Sequence, residues 1–483
     1  MASYKDNKPE TRLFIDGEFV KPKSGKTFDI YNPATEELAA TVYEAGAEDV
    51  DAAVKAAKAA FEGWEGLGAS GRTGILLKLA DCIEAHAEEL DYLDAICMGK
   101  PISDFCNAYF AAFCLRYYAN KAMDVQGTSS LNTPGFVNMA WRQPFGVCGA
   151  IIPWNITLIT FINKVGPALS AGNTLVLKSS EKCPLSVLLI GRLCQEAGVP
   201  KGVLNILSGF GRPCGEAMAK HMDIRKISFT GSQIAGRAIK KAAAESNLKK
   251  VTLELGGKSP LIIFSDADLE KAAAAATASM LMLSGQACVA STRIYVHKDV
   301  ASEFTSLMSA AIRKSGESGD MLVKATTRGP QADKAQYDRI LGYLKGAEAD
   351  GLDVILGGKA ETKKGFFIEP TLITNAPEDH SVVKEEIFGP VVVINTFEDE
   401  AEVMSRANDT EFGLYSSVFT KDISRALRVA KKFEAGMCGI NCTSPSFSID
   451  MPFGGWKSSG DGREYSQFAF EAWTELKAVL ISL

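Results

Sequence analysis

Three residues in this 483-residue sequence stand where small or apolar neighbours leave them room to react: Cys288, Glu254 and Asn155. Cys288 lies in SGQACVAS, between small residues and just after a glycine. A thiol there is a nucleophile only if a cation, a helix N-terminus or a base helps the thiolate form. Glu254 lies in LELGGK, at the end of an apolar run. Burial between its leucines raises a carboxyl pKa toward the range of a general base. Asn155 ends the tripeptide PWN at a strand-to-helix turn, where it either caps the helix or aims its amide at an oxyanion. Each also has an ordinary explanation, since most free cysteines are small buried apolar residues and an acid at a strand end can turn outward. Together, a thiol, a base and an amide donor describe attack on a carbonyl carbon followed by release of the acyl group.

Two further stretches suit a dinucleotide. In FTGSQIAG, Phe229 to Gly236, a strand ends, Gly231 allows a tight turn, and Ser232 is placed to cap the next helix. Free N–H groups and the positive dipole end of a helix favour a pyrophosphate there. The stretch is not GxGxxG, and alone it is also a plain strand–turn–helix. In VLKSSE, Lys178 and Glu181 follow a buried strand, the place where open α/β sheets bind ligands. They can hold ribose oxygens, or be two solvated charges on a loop.

The elements that must position these residues follow from the hydrophobic pattern. Short strands and turns are expected from Thr11 to about Asn32, then helices over Ala47–Trp64 and Gly71–Met98. Gln126 to Phe145 reads as a loop plus extended strands outside the main body. From Gly146, strand and helix alternate for over a hundred residues, which predicts a parallel sheet with helices on its faces. The pattern restarts after Gly257, with PLIIF as the first strand of a second α/β unit. Ala435 to Asp461 has little periodicity and is expected to be a long functional loop.

Composition excludes several classes. A formal charge of −6 gives no reason to expect a nucleic acid or an anionic membrane as partner. No secretory signal and no membrane-length apolar run is visible, so a cytoplasmic protein is expected. The eleven cysteines include no CxxC pair and the four histidines no HExxH, so neither a disulfide framework nor a metal is expected.

PWN at 153–155, KSSE at 178–181, FTGS at 229–232, LELGGK at 253–258, SGQACVAS at 284–291, EEIFGPV at 385–391 and PFGGWKSSG at 452–460 stand in a fixed order. In that order and approximate spacing, over nearly the full length, the sequence resembles the NAD(P)-dependent aldehyde dehydrogenase superfamily. The resemblance implies an aldehyde dehydrogenase-like α/β fold, with a Rossmann-type cofactor domain (1–125 and 145–253) and an α/β catalytic domain (254–464). It also implies a small β oligomerisation element (126–144 and 465–483), and hence a homodimer or homotetramer. The C-terminal EAWTELKAVLIS is expected to be a strand whose edge another subunit completes.

By resemblance, Cys288 is the nucleophile and Glu254 the base that activates the deacylating water. Asn155 and the backbone N–H of Cys288 form the oxyanion hole. NAD, or NADP in some members, is held by Ile152, Pro153, Trp154, Lys178, Ser180, Glu181, Gly211, Gly215, Phe229, Gly231, Ser232, Leu255, Glu386 and Phe388. Glu181 favours NAD because a carboxylate repels a 2′-phosphate. The implied reaction takes an aldehyde to the carboxylic acid through a cysteine thiohemiacetal and thioester. Glu254 favours hydrolysis, since members that pass the acyl group to coenzyme A generally lack this acid. The competing expectations are a coenzyme A-acylating or semialdehyde-specific dehydrogenase, or a silent NAD-binding homologue. Departures from the family pattern are NITL after PWN, with Thr160 and Asn163 on that helix, and the loop NCTSPSFSIDM, which carries Phe447 and small polar residues. They lead to the expectation of a wider, more polar substrate tunnel.

Overall fold

A computed structural model describes residues 8–315, 318–446 and 448–483. Phe447 therefore lies outside the described residues. Two sheets organise the chain. In the first, the strands Val147–Ile151, Thr174–Lys178, Leu204–Leu207, Lys226–Thr230 and Lys250–Glu254 run parallel. The spatial order runs from Lys250–Glu254 through Lys226–Thr230, Val147–Ile151 and Thr174–Lys178 to Leu204–Leu207. The chain thus leaves Val147–Ile151 first to one side and then to the other. The C-terminal ends of Val147–Ile151 and Lys226–Thr230 flank this switch point, where such sheets open a crevice for ligands. Val147–Ile151, Thr174–Lys178 and Lys226–Thr230 are buried along their whole length, as strands covered by helices on both faces must be.

The second sheet holds Pro260–Ile263, Arg293–His297, Thr371–Thr374, Val391–Phe397, Tyr415–Phe419 and Met437–Ile440 in parallel, with Asp353–Leu356 antiparallel at one edge. Met437–Ile440 corrects the expected long loop from Ala435. Its Met-Cys-Gly-Ile is too short and mixed to show alternation, and it forms by pairing with Tyr415–Phe419. The helix expected over Gly71–Met98 is two, Gly68–Ala85 and Ala87–Met98, broken where His86 leaves helical geometry at φ −108° and ψ 19°.

A smaller sheet joins Thr128–Ser130, Phe136–Pro144 and the C-terminal strand Thr474–Ser482. The last two pair in register from Thr474 opposite Pro144 to Ser482 opposite Phe136. The C-terminal strand therefore finds one partner within its own chain. Its other edge carries no strand among the described residues, and Leu476, Leu480 and Ile481 are exposed on it.

Candidate active site

The turn after Val147–Ile151 carries Pro153, Trp154 and Asn155 to the switch point. The following helix, Thr157–Ser170, has no side-chain cap, so Asn155 does not serve as one. Its buried amide Nδ2 instead donates to the Gln286 carbonyl at 2.9 Å, two residues before Cys288. An amide has two N–H donors, so one remains for another acceptor.

Cys288 follows the helix Leu269–Leu281 and a turn in which Leu283 and Ser284 adopt left-handed backbone, φ 50° and 56°. Gln286 braces this turn by donating to the Leu283 carbonyl and accepting from Ala332 N. Gly257 lets the strand end approach closely, since a Cβ there would stand 2.3 Å from the Cys288 carbonyl oxygen.

Glu254 is the last residue of its strand and is 6% exposed, and its Oε1 has no hydrogen-bond partner. Burial, then the charge of Glu464, push its pKa up to about 8. The Cys288 thiol lies close enough to this carboxyl that each acts on the other's ionisation. Cys288 opens on the cavity and is only half-buried by area. Desolvation, followed by the charges of Glu254 and Glu386, nonetheless holds its thiol well above the ordinary range.

These residues line one cavity of about 250 Å³. Of the sequence-predicted residues, Pro153, Trp154, Asn155, Gly231, Ser232, Glu254, Leu255, Cys288, Glu386 and Phe388 meet there. Trp154 and Phe388 pack edge to face at 5.5 Å, and Lys182 Nζ lies 5.1 Å from the Trp154 ring centre. Phe388 holds φ 62°, fixed by Gln336 Nε2 donating to its carbonyl at 2.8 Å. Glu386 Oε1 accepts from Gly257 N at 2.9 Å, and burial raises its carboxyl to about 7. A Cβ on Gly256 would stand 2.1 Å from Glu386 Oε2, so only glycine admits this contact.

Ile152, Lys178, Ser180, Glu181, Gly211, Gly215 and Phe229 do not line that cavity and gather around the neighbouring strand ends. Ile152 N donates to the Lys178 carbonyl, and Lys178 Nζ to the carbonyls of Ser179 and Gly209. Glu181 stands 3.9 Å from the same ammonium, Ser180 Oγ accepts from Lys182 N, and a Cβ on Gly215 would rest 3.7 Å from Lys178 Cε. Gly211 opens the turn that leads to Gly215. Phe229 lies beneath Gly231, where a Cβ would come within 2.5 Å of its ring. Ser232 Oγ caps the helix Gln233–Ala244, accepting from Ala235 N at 3.4 Å.

Sequence reading missed Lys164 and Glu464. The Lys164 ammonium donates to Glu464 Oε1, and both are largely buried beside the cavity. Their signal is a lysine on an otherwise apolar helix face, but its partner lies three hundred residues away. Thr160 and Asn163 line the cavity, but their side chains turn to partners within the protein. Asn163 spends its amide on Glu464 and the Tyr465 hydroxyl and accepts from Tyr118, while Thr160 turns its hydroxyl to the Ile156 and Thr157 carbonyls. Phe105, Phe110, Ile159, Met282 and Phe453 give the wall an apolar part, beside Tyr415, Ser444 and Ser446.

The model of the aldehyde dehydrogenase family matches residues 19–479. The chain belongs to the aldehyde dehydrogenase family. It is 44% identical over 474 residues to a mitochondrial aldehyde dehydrogenase of Leishmania tarentolae, covering 97% of this chain and 94% of that protein. The NAD+ complex of an aldehyde dehydrogenase from Bacillus cereus superposes with a TM-score of 0.94 at 41% identity, covering 98% and 97% of the two chains. An indole-3-acetaldehyde dehydrogenase of P. syringae in complex with NAD+ and IAA gives 0.97 at 37% identity, covering 99% and 98%. This aldehyde dehydrogenase is an NAD(P)-dependent oxidoreductase of aldehydes. Among its described residues, no helix is long and apolar enough to cross a membrane.

Proposed function

We propose that Cys288 is the nucleophile, Glu254 the base, and Asn155 with the Cys288 backbone N–H the oxyanion hole of this oxidation. The observation that carries the reading is the buried Glu254 carboxyl, its Oε1 without a hydrogen-bond partner, beside the Cys288 thiol in one cavity. Cys288, its thiol proton given up to water in the cavity, attacks as thiolate: Sγ bonds to the aldehyde carbon, and the oxygen anion is met by the Asn155 amide. Bound dinucleotide supplies the acceptor for the hydride that leaves this carbon. The carbon is then a thioester on Cys288. Glu254, as carboxylate, takes a proton from water; the hydroxide adds to the thioester carbon, the Cys288 thiolate leaves, and the carboxylic acid is released.

The residues present fit a dinucleotide. The Glu386 carboxylate, pinned to the Gly256–Gly257 backbone, is an acceptor for ribose hydroxyls, and Trp154 and Phe388 offer ring faces beside it. Lys178 and Glu181 would take the second ribose, with Ile152, Pro153, Ser180, Gly211, Gly215 and Leu255 around it. Gly231 and Ser232 at the helix start, over Phe229, would take the pyrophosphate. Glu181 supports NAD over NADP.

Glu254 supports hydrolysis over transfer to coenzyme A. An uncharged, apolar aldehyde is supported over a semialdehyde. The cations among the described lining residues, Lys182 and Arg339, sit with Trp154 and Glu386 rather than at the apolar part of the wall. The three-part division at 126–144, 253/254 and 464/465, a cytoplasmic location, and a homodimer or homotetramer built on the exposed edge at Thr474–Ser482 belong to the same reading. Product analysis of aliphatic, aromatic and acidic aldehydes with NAD and NADP, with and without coenzyme A, tests it. Free acid from apolar aldehydes with NAD is expected; an acyl-coenzyme A product or a preference for semialdehydes would overturn it.

A further inference from the structure

The segment 99–107 joins the helices Ala87–Met98 and Ala108–Asn120 and brings Phe105 and Cys106 into the wall of the active-site cavity. Phe105 is 41% exposed. With Phe110 it also borders the outer space toward Phe113, Pro445 and Ile449. The Phe105 side chain in the cavity wall is thus held by a loop, and its position depends on what fixes that loop.

Beneath the loop lies a buried charge cluster. Lys100 Nζ stands 3.2 Å from Asp94 and 3.5 Å from Asp91, and donates to the Cys106 carbonyl at 2.6 Å. Asp91 Oδ1 accepts from Ala108 N at 3.0 Å, where the next helix begins. One ammonium and one carboxylate therefore hold the backbone on both sides of Cys106–Asn107. Asp104 Oδ1 adds a bond from Cys106 N at 2.8 Å. On the other flank, Ile102 N donates to the Met321 carbonyl at 3.0 Å and Ser103 Oγ to the Thr326 carbonyl at 2.7 Å.

A buried lysine with carboxylate partners gives little net stability over apolar residues of the same volume. What it gives that they cannot is direction, because an ammonium fixes a carbonyl at hydrogen-bond distance. Nothing in the hydride-transfer chemistry uses this cluster, yet its hydrogen bonds end on a residue of the cavity wall.

We propose that Lys100 is a positioning residue of the aldehyde oxidation: with Asp91 and Asp94 it sets where Phe105 and Cys106 stand, and so which aldehyde tails are selected. This rests on the reading that the aldehyde lies against the apolar part of the cavity wall.

The test compares kcat/KM for octanal with that for acetaldehyde in F105A, K100M and the charge-balanced K100M/D94N, together with the KM for NAD+. The octanal-to-acetaldehyde ratio is expected to fall about fivefold or more in all three, as for a misplaced binding group. The KM for NAD+ is expected to stay within about twofold. A purely structural role would lower the melting temperature and the number of active sites and leave the ratio alone. Should K100M not fold, the double variant decides. An unchanged ratio in K100M/D94N beside a lowered one in F105A would overturn the positioning role alone. An unchanged ratio in F105A would overturn it together with the placement of the aldehyde.

Discussion

The Glu254 carboxyl and the Cys288 thiol lie close enough to act on each other's ionisation in one cavity, and the Glu254 Oε1 has no hydrogen-bond partner. A nucleophile and a base meet without an imidazole between them. Burial raises the pKa of both, so each is neutral more of the time than in water, and activity should follow their ionisation.

The pH dependence has a definite sign. Deacylation needs Glu254 as carboxylate, and its pKa is raised to about 8. Below that value the ionised fraction falls about tenfold per pH unit. Steady-state kcat should therefore rise with pH and level off above about 8. A flat profile from pH 6 to 9 would contradict the assignment of Glu254 as the rate-limiting base.

Glu464 should tune that profile. Its charge helps raise the Glu254 pKa, and Lys164, its ion-pair partner, lowers it. In E464Q the opposing charge is lost and Lys164 is left without its carboxylate. The acid limb of the kcat profile is expected to move to lower pH. A shift to higher pH would mean that Glu464 does not act on Glu254 through charge.

Gly256 should tolerate no side chain. A Cβ there would collide with the Glu386 carboxyl, which Gly257 N holds. G256A is expected to weaken NAD+ binding about tenfold, the scale of one lost buried hydrogen bond to a charged group. Fluorescence titration with NAD+ measures it, and unchanged affinity would remove Glu386 from the cofactor site.

Much of this was legible in the sequence, for physical reasons. Burial on both faces writes a parallel strand as a continuous apolar run, so Val147–Ile151 and Lys226–Thr230 could be read directly. Asn155, Glu254 and Cys288 stand at strand ends and turns, where local pattern marks the place. Residues defined by distant partners were not legible. Lys164 with Glu464, Lys100 with Asp91 and Asp94, and Met437–Ile440 with Tyr415–Phe419 acquire meaning only through tertiary contact. That Thr160 and Asn163 spend their hydrogen bonds inside the protein was not legible either.

Loss of the thiol should remove acylation itself, not only deacylation. C288A is expected to lose at least about 10³-fold in kcat, because no other nucleophile is placed to form the thioester. Its affinity for NAD+, measured by the same titration, should be retained. Residual turnover within about tenfold of the unmodified enzyme would exclude Cys288 as nucleophile.

The most direct test mixes E254Q rapidly with NAD+ and an excess of an apolar aldehyde. One NADH per active site should appear in a burst, followed by turnover slowed about 10²- to 10⁴-fold. The peptide containing Cys288 should carry the mass of the acyl group. Steady turnover without a burst, or a burst with no acyl mass on Cys288, would contradict the account.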